Sequence, residues 1–256
     1  MIILPSMRKA RHAPASVWTP ADLYDGVTDD GAFLNANNLG SIYQDLSRVT
    51  APAVDTVVGS FDDLSGNGNH GTTQSTATRP ILRLEGGKYH LEGDEFDRHL
   101  YCPNGGAKLG SDHSTTMFAR IRTYASQTTW REILGYGLQS SRQMRYLGQR
   151  ATTNVIGYLG HGFDVDSAVD SDDGFTTIVM EMQEANNGTI TLYQDGAQIA
   201  RDTGTKTDVN TSATDLYFFQ GQLGTENAKV DIQWAGILYR EISPTERASI
   251  NSYDGE

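Results

Sequence analysis

The chain has 256 residues, 38% of them hydrophobic, which is enough for one sizeable core, and a formal charge of −12. That charge excludes general affinity for nucleic acid, because phosphate binding needs a concentrated basic surface. No apolar run reaches the ~20 residues a membrane-spanning helix requires, and with Cys102 as the single cysteine no internal disulfide forms, so stability must come from packing.

In chain order, the first stretch, MIILPSMRKARHAPAS, has no period; Pro5 cuts its apolar run short of a secretory signal. Arg8, Lys9 and Arg11 make it a basic arm suited to an acidic partner, and Ile2, Ile3 and Leu4 could enter apolar grooves. TPAD over 19–22 signals a short helix start, with Thr19 as cap, Pro20 in the first turn and Asp22 three residues after the cap. Residues 26–60 are turn-rich, with one candidate strand at SIYQDL over 41–46. ILRLEGGKYHLEG over 81–93 predicts a hairpin about Gly86-Gly87. In TTMFARIRTYA over 115–125, Met117, Ala119 and Ile121 fall on one face and Phe118, Arg120, Arg122 and Tyr124 on the other. WREILGYG, RQMRYLGQ and NVIGYLGHG follow as strands in series. TTIVMEMQEANNGTITLYQDGAQIARDTG over 176–204 predicts a three-stranded meander turning at Asn187-Gly188 and Asp195-Gly196. DLYFFQGQL and DIQWAGILYREI complete the β content, and Ser243, Pro244 and Glu246 form a capping box for a short terminal helix. Ten or more strands without helical alternation predict an all-β antiparallel sandwich or jelly roll.

The least ordinary stretch is FDDLSGNGNHG over 61–71, for which three readings compete. As a calcium loop, Asp63, Ser65, Asn67 and Gly68 fall at ligand positions 1, 3, 5 and 6, but position 12 is Gln74, which excludes an ordinary EF-hand. As a structural corner, Asp and Asn side chains bond nearby backbone amides while the glycines supply unusual dihedrals, and His70 is a packed, hydrogen-bonded residue. As part of a catalytic region, it precedes Glu92, Asp94 and Asp97, whose spacing imitates the acids of glucanases in this fold class. Calcium at Asp63, Ser65 and Asn67 is the one cofactor these readings raise.

DLSGNGNHG, RPIL over 79–82, YHLEGDEFDRHL over 89–100, LYQDGAQIA over 192–200 and GILYREISPTERASINSY over 236–253 together resemble laminin-G-like, concanavalin A-like jelly-roll domains. The order TPADL, GAFLNANNLGSIYQD, DLSGNGNH and RPIL is similar, more narrowly, to the version in bacteriophage structural proteins. The resemblance implies a jelly-roll sandwich over 61–256, an extension over 19–60 packing on it, and the arm over 1–18. It implies a non-enzymatic virion protein, made in the bacterial cytoplasm and attached to capsid or tail proteins through that arm, with homo-oligomers as a common state of such assemblies.

Two alternatives stand beside it. One is a carbohydrate-binding tail-fibre module for a bacterial surface glycan, in which Trp130, Tyr136, Tyr146 and Tyr158, on consecutive strands, would form a stacking platform. The other is a secreted glucanase-like hydrolase. His161 between two glycines is an exposed-turn candidate, and Asn187 and Asn210 head glycosylation sequons.

Overall fold

The computed structural model describes residues 18–25, 30–94, 96–103, 105, 114–124, 130–137, 144–150, 155–160, 164–170, 174–183, 188–203, 215–220 and 228–255. The first eight strands are β1 (Gly31–Asn35), β2 (Ile42–Tyr43), β3 (Ser60–Phe61), β4 (Gly71–Thr72), β5 (Ile81–Glu85), β6 (Lys88–Glu92), β7 (Leu100–Cys102) and β8 (Thr115–Thr123). Then come β9 (Arg131–Gly137), β10 (Met144–Gln149), β11 (Val155–Leu159), β12 (Val165–Asp170), β13 (Thr176–Gln183), β14 (Thr189–Gln194), β15 (Ala197–Asp202), β16 (Leu216–Phe218) and β17 (Val230–Leu238), followed by helix α1 (Pro244–Ser252).

They form two antiparallel sheets. The first runs β15-β14-β13-β8-β17-β6-β5, with β1 also on β17; the second runs β12-β11-β10-β9-β16-β7-β4-β3-β2. The main core lies between them. Met117, Ala119 and Ile121 of β8 point into it, as the alternation predicted, and meet Ile133, Leu147 and Phe218 from the second sheet. Phe118 of the same strand points outward and joins Phe33, Trp234, Leu238, Ile250 and Tyr253 in a second cluster, which α1 and the 20–24 turn cover. The outer face of the first sheet is thus roofed by the two segments that carry the capping motifs. In α1 the Ser243 hydroxyl accepts from Glu246 N while the Glu246 carboxylate accepts from Ser243 N. At the other motif, Asp22 accepts from Thr19 N at 2.7 Å above a single 3₁₀ turn, Pro20–Leu23.

The hairpin turns follow the sequence: Gly86 and Gly87 have φ of 57° and 83°, and Asp195 and Gly196 have 47° and 82°, the left-handed pair a two-residue turn between twisted strands demands. Two expectations change. The segment 19–60, read as an extension, supplies strands to both sheets: β1 pairs with β17 from Gly31↔Leu238 to Asn35↔Trp234, and β2 and β3 extend the second sheet. The strand expected over 41–46 shrinks to Ile42–Tyr43, because Gln44 N turns away to Thr50 O. DLYFFQGQL and DIQWAGILYREI supply β16 and β17, which lie in opposite sheets.

One topological feature matters below. A single edge of β17 is shared by two strands, β6 at Asp231 and Ile232 and β1 from Trp234 onward. Between them β17 is irregular, with a register shift against β8 between Ile232 and Trp234. There β1 and the β5–β6 hairpin part, and the sheet edge forks.

Candidate functional site

The loop 63–71 is a corner tied to β1. Asp63 Oδ1 accepts from Phe33 N and Ser65 N, each at 2.9 Å, and Oδ2 accepts from Ser65 Oγ at 2.7 Å and Asn69 N at 2.9 Å. The Asn67 and Asn69 side-chain amides both donate to Gly31 O, and His70 Nδ1 accepts from Asp63 N. All four acceptor positions of the carboxylate are filled by protein donors. Asp63, Ser65 and Asn67 are therefore brought together, but as a hydrogen-bonded knot. A cation there would have to displace bonds that fix β1, and among the described residues no group of three or more His, Cys, Asp or Glu side chains converges as a metal centre.

The acids 92, 94 and 97 do not share a strand. β6 ends at Glu92, whose carboxylate accepts from Arg83 and Arg98. Asp94 caps the backbone amides of Phe96, Asp97 and Arg98. Hydrogen bonds from Arg83, with those from Arg98, hold the Glu92 carboxyl below its usual range. For Asp94 burial pulls upward, but the three amides and Arg98 prevail and the net shift is also downward. Neither group is fitted to keep a proton for a leaving sugar.

The four aromatics proposed as a platform are split between two faces. Tyr136 and Tyr158 point inward and are fully buried in the core between the sheets. Burial drives the Tyr158 hydroxyl pKa upward, and that hydroxyl donates to Met144 O. Trp130 and Tyr146 lie on the outer face of the second sheet with Met144, Leu159, Tyr217 and Tyr101. There Tyr101, Tyr217, Gly135, Tyr146 and Leu159 are successive cross-strand partners. Tyr146 itself is fully buried, and the half-buried Trp130 has the Arg150 guanidinium 4.9 Å from its ring centre, with Arg150 paired to Asp166. The physical reason is alternation with an interruption. The register slip between Leu147 and Gly148 puts Ile133 and Leu134 both in the core, so that Tyr136 faces inward while Trp130 before the same strand faces out; Tyr146, paired with Gly135, faces out by ordinary alternation. The face is apolar and packed, with no open stacking plane at Tyr146.

A concavity does exist at the fork in the first sheet. Its volume is about 540 Å³, and it is bounded by the turn after β1 (Asn35, Asn37, Asn38, Leu39), the hairpin tip (Gly87, Lys88, Tyr89), the tail after α1 (Tyr253, Gly255) and the floor residues Phe33 and Leu64. The fork is held open by Asn37. Its Oδ1 accepts from Tyr89 N at 2.8 Å and its Nδ2 donates to Tyr89 O at 3.4 Å, so one side-chain amide imitates the strand that is missing between β1 and β6. Asn35 Nδ2 donates to the Tyr253 hydroxyl at 2.8 Å and anchors the tail. Asn38 is exposed and its side-chain amide makes no hydrogen bond among the described residues. The cleft thus joins apolar walls to a free amide and a tyrosine ring, the mixture that lets a polyhydroxylated ring stack on one face and hydrogen-bond at its edge.

Sequence reasoning missed this site. The run NANN over 35–38 was the available signal, but only the parting of β1 from β6 turns those amides toward one space. The arm residues Ile2, Ile3, Leu4, Arg8, Lys9 and Arg11, together with His161, Asn187 and Asn210, lie outside the described residues.

The fold is an antiparallel β-sandwich of two sheets closed by one short C-terminal helix, with this cleft at the fork of the first sheet. Neither a protein-family model nor a curated protein matches the sequence. Among solved structures, the chain is similar to the binding domain of Paraclostridial Mosquitocidal Protein 1, with a TM-score of 0.59 and 10% identity over 83% of this chain and 51% of that one. It is also similar to Trypanosoma rangeli sialidase, at TM-score 0.54 and 12% identity over 86% of this chain and 32% of the sialidase, so it spans about a third of that enzyme. Domain 4 of an extracellular arabinanase from Geobacillus stearothermophilus, in complex with arabinotriose, aligns at TM-score 0.54 and 12% identity over 75% of this chain and 92% of that domain. At these identities the likeness is one of fold.

Proposed function

We propose that this chain is a non-catalytic carbohydrate-binding module whose ligand seats in the fork cleft between Asn35–Leu39 and Gly87–Tyr89. The observation that carries the reading is the cleft itself. At about 540 Å³ it falls within the ~300–1,000 Å³ usual for small-ligand sites, and it pairs the Tyr89 ring with the free Asn38 amide. Among the described residues that line it, none carries a carboxylate, whereas glycoside hydrolysis ordinarily uses a pair of acids. Fold neighbours support the class: one is named as a toxin's binding domain and another was solved with arabinotriose.

The setting we propose is the one the sequence resemblance implies. The module would be displayed on a virion, with residues 1–18 as the attachment arm and a surface glycan as its ligand. A glycan array followed by calorimetry on the hits tests the binding. Tyr89→Ala and Asn38→Ala should each weaken it about tenfold, equivalent to ~1.4 kcal/mol, while Trp130→Ala on the opposite sheet leaves it unchanged. An array without binders, or binding indifferent to Tyr89→Ala, would overturn the reading.

A further inference from the structure

The hydrogen bonds at the fork leave donors over. The Asn37 backbone amide donates to Asn35 Oδ1 at 2.9 Å, which fixes the orientation of the Asn35 side chain and turns its Nδ2 toward the Tyr253 hydroxyl at 2.8 Å. That hydroxyl is therefore the acceptor of the pair, and among the described residues its own proton goes to no acceptor. Burial pushes the Tyr253 hydroxyl above its ordinary pKa, so it keeps that proton at neutral pH. Asn37 is set in the same way, with Oδ1 accepting from Tyr89 N and Nδ2 giving one hydrogen to Tyr89 O. Each of the two side-chain oxygens thus already holds a backbone amide.

A further donor stands behind them. Trp234 is fully buried, its ring centre lies 5.5 Å from that of Tyr253, and its indole Nε1 has no hydrogen-bond partner. Cδ1, the ring atom bonded to that nitrogen, lies 3.5 Å from the point where a Cβ on Gly255 would stand, and the same point is 2.9 Å from Asn37 Nδ2. Gly255, Asn37 and Tyr253 all line the cleft, so the indole N–H sits directly behind its wall. Buried donors without acceptors are costly and native proteins keep few of them. Two at one end of one cleft mark a place for an oxygen supplied from outside the chain.

We infer that the cleft selects a sugar bearing an acetamido group, an N-acetylhexosamine, whose carbonyl oxygen takes the proton of Tyr253. This rests on the glycan reading above and names its ligand class. A carbonyl oxygen only accepts, whereas a sugar hydroxyl brings one more donor to an end already full of them. The acetamido N–H goes to Oδ1 of the exposed Asn38, its methyl group packs on Leu39 and Leu64, and the sugar ring lies on Tyr89.

Triacetylchitotriose and cellotriose are the test pair, since they share linkage and ring shape and differ by an acetamido group in place of one hydroxyl on each ring. In calorimetry, wild-type protein should bind the acetylated sugar about tenfold more tightly. Tyr253→Phe, which deletes a single oxygen, should erase that preference and leave cellotriose within about twofold of wild type. The same change strands Asn35 Nδ2 and lowers stability, so a second readout uses the unaltered chain. With its three tryptophans labelled with ¹⁵N, and Trp18→Phe and Trp130→Phe identifying their own signals, triacetylchitotriose should move the Trp234 indole N–H resonance downfield while cellotriose leaves it in place. Equal binding of the two sugars, a preference that survives Tyr253→Phe in folded protein, or a Trp234 resonance unmoved at saturation overturns the inference. If cellotriose or another sugar without the acetamido group binds equally well in a Tyr89-dependent way, the inference falls and the module reading stands. If no glycan binds, both fall.

Discussion

Replacing Asp63 by Ala should cost the domain a large part of its stability. The carboxylate is 8% exposed and accepts four hydrogen bonds, three of them buried. Truncation leaves the Phe33 and Ser65 amides without an acceptor inside the protein, at ~1–3 kcal/mol for each buried group left unsatisfied. The Ser65 hydroxyl can turn instead to Gly31 O, 3.3 Å away, and the half-buried Asn69 amide can take water. The sum is a loss of about 3–5 kcal/mol, to be set against a usual domain stability of ~5–15 kcal/mol. Asp63→Asn should fall between, because one oxygen acceptor survives while the amide that replaces the other presents a donor to donors. Urea denaturation followed by tryptophan fluorescence reads both, as a lowered midpoint with an unchanged slope. Calcium and a chelator added to wild-type protein should leave the midpoint where it is. A loss below ~1 kcal/mol for Asp63→Ala, or a midpoint that rises with calcium, would refute the account of this loop as a hydrogen-bonded corner.

Two further outcomes follow from packing and burial. At Gly135 an added Cβ would stand 2.1 Å from Arg145 O and 2.6 Å from the Tyr146 ring, so Gly135→Ala must push β10 off β9 and should lose about 2–3 kcal/mol in the same denaturation assay; a neutral result would show that the two strands give way easily. His90, 3% exposed beside Asp231 and Arg122, has its pKa lowered first by burial, with Asp231 opposing, and His99 is lowered by burial as well. Both are then neutral when folded but take a proton near pH 6.5 when unfolded, so stability is complete above that pH and falls as pH drops toward the lowered folded values. Midpoints measured between about pH 7.5 and 5 should decline with that sign, and His90→Gln should flatten the curve; a midpoint that rises as pH falls would refute the burial argument.

The amino-acid sequence alone determined the strands that alternate and the turns that join them. Met117, Ala119 and Ile121 against Phe118 and Arg120, the glycine turns at 86–87 and 195–196, and the box at Ser243 and Glu246 are local facts. Each is set by side-chain period, left-handed backbone or a cap within four residues, and each stands where the sequence put it. So does the corner at Asp63, since Asp, Ser and Asn satisfy backbone within a few positions of themselves, though its tie to Phe33 and Gly31 spans thirty residues or more. What only the tertiary structure decided is which surface is open. Tyr136 and Tyr158 read as well for an outer face as for a core, and a one-residue slip at Leu147 and Gly148 settles the matter for Tyr136, because side chains on a strand change face with every residue. The cleft is less legible still. Asn35, Asn37, Lys88, Tyr89 and Tyr253 come from three distant segments, and they share a space because two strands compete for one edge of β17 and part where it is irregular. Pairing partners so far apart along the chain leave no period to read, and the site exists only once the sheet has closed around that fork.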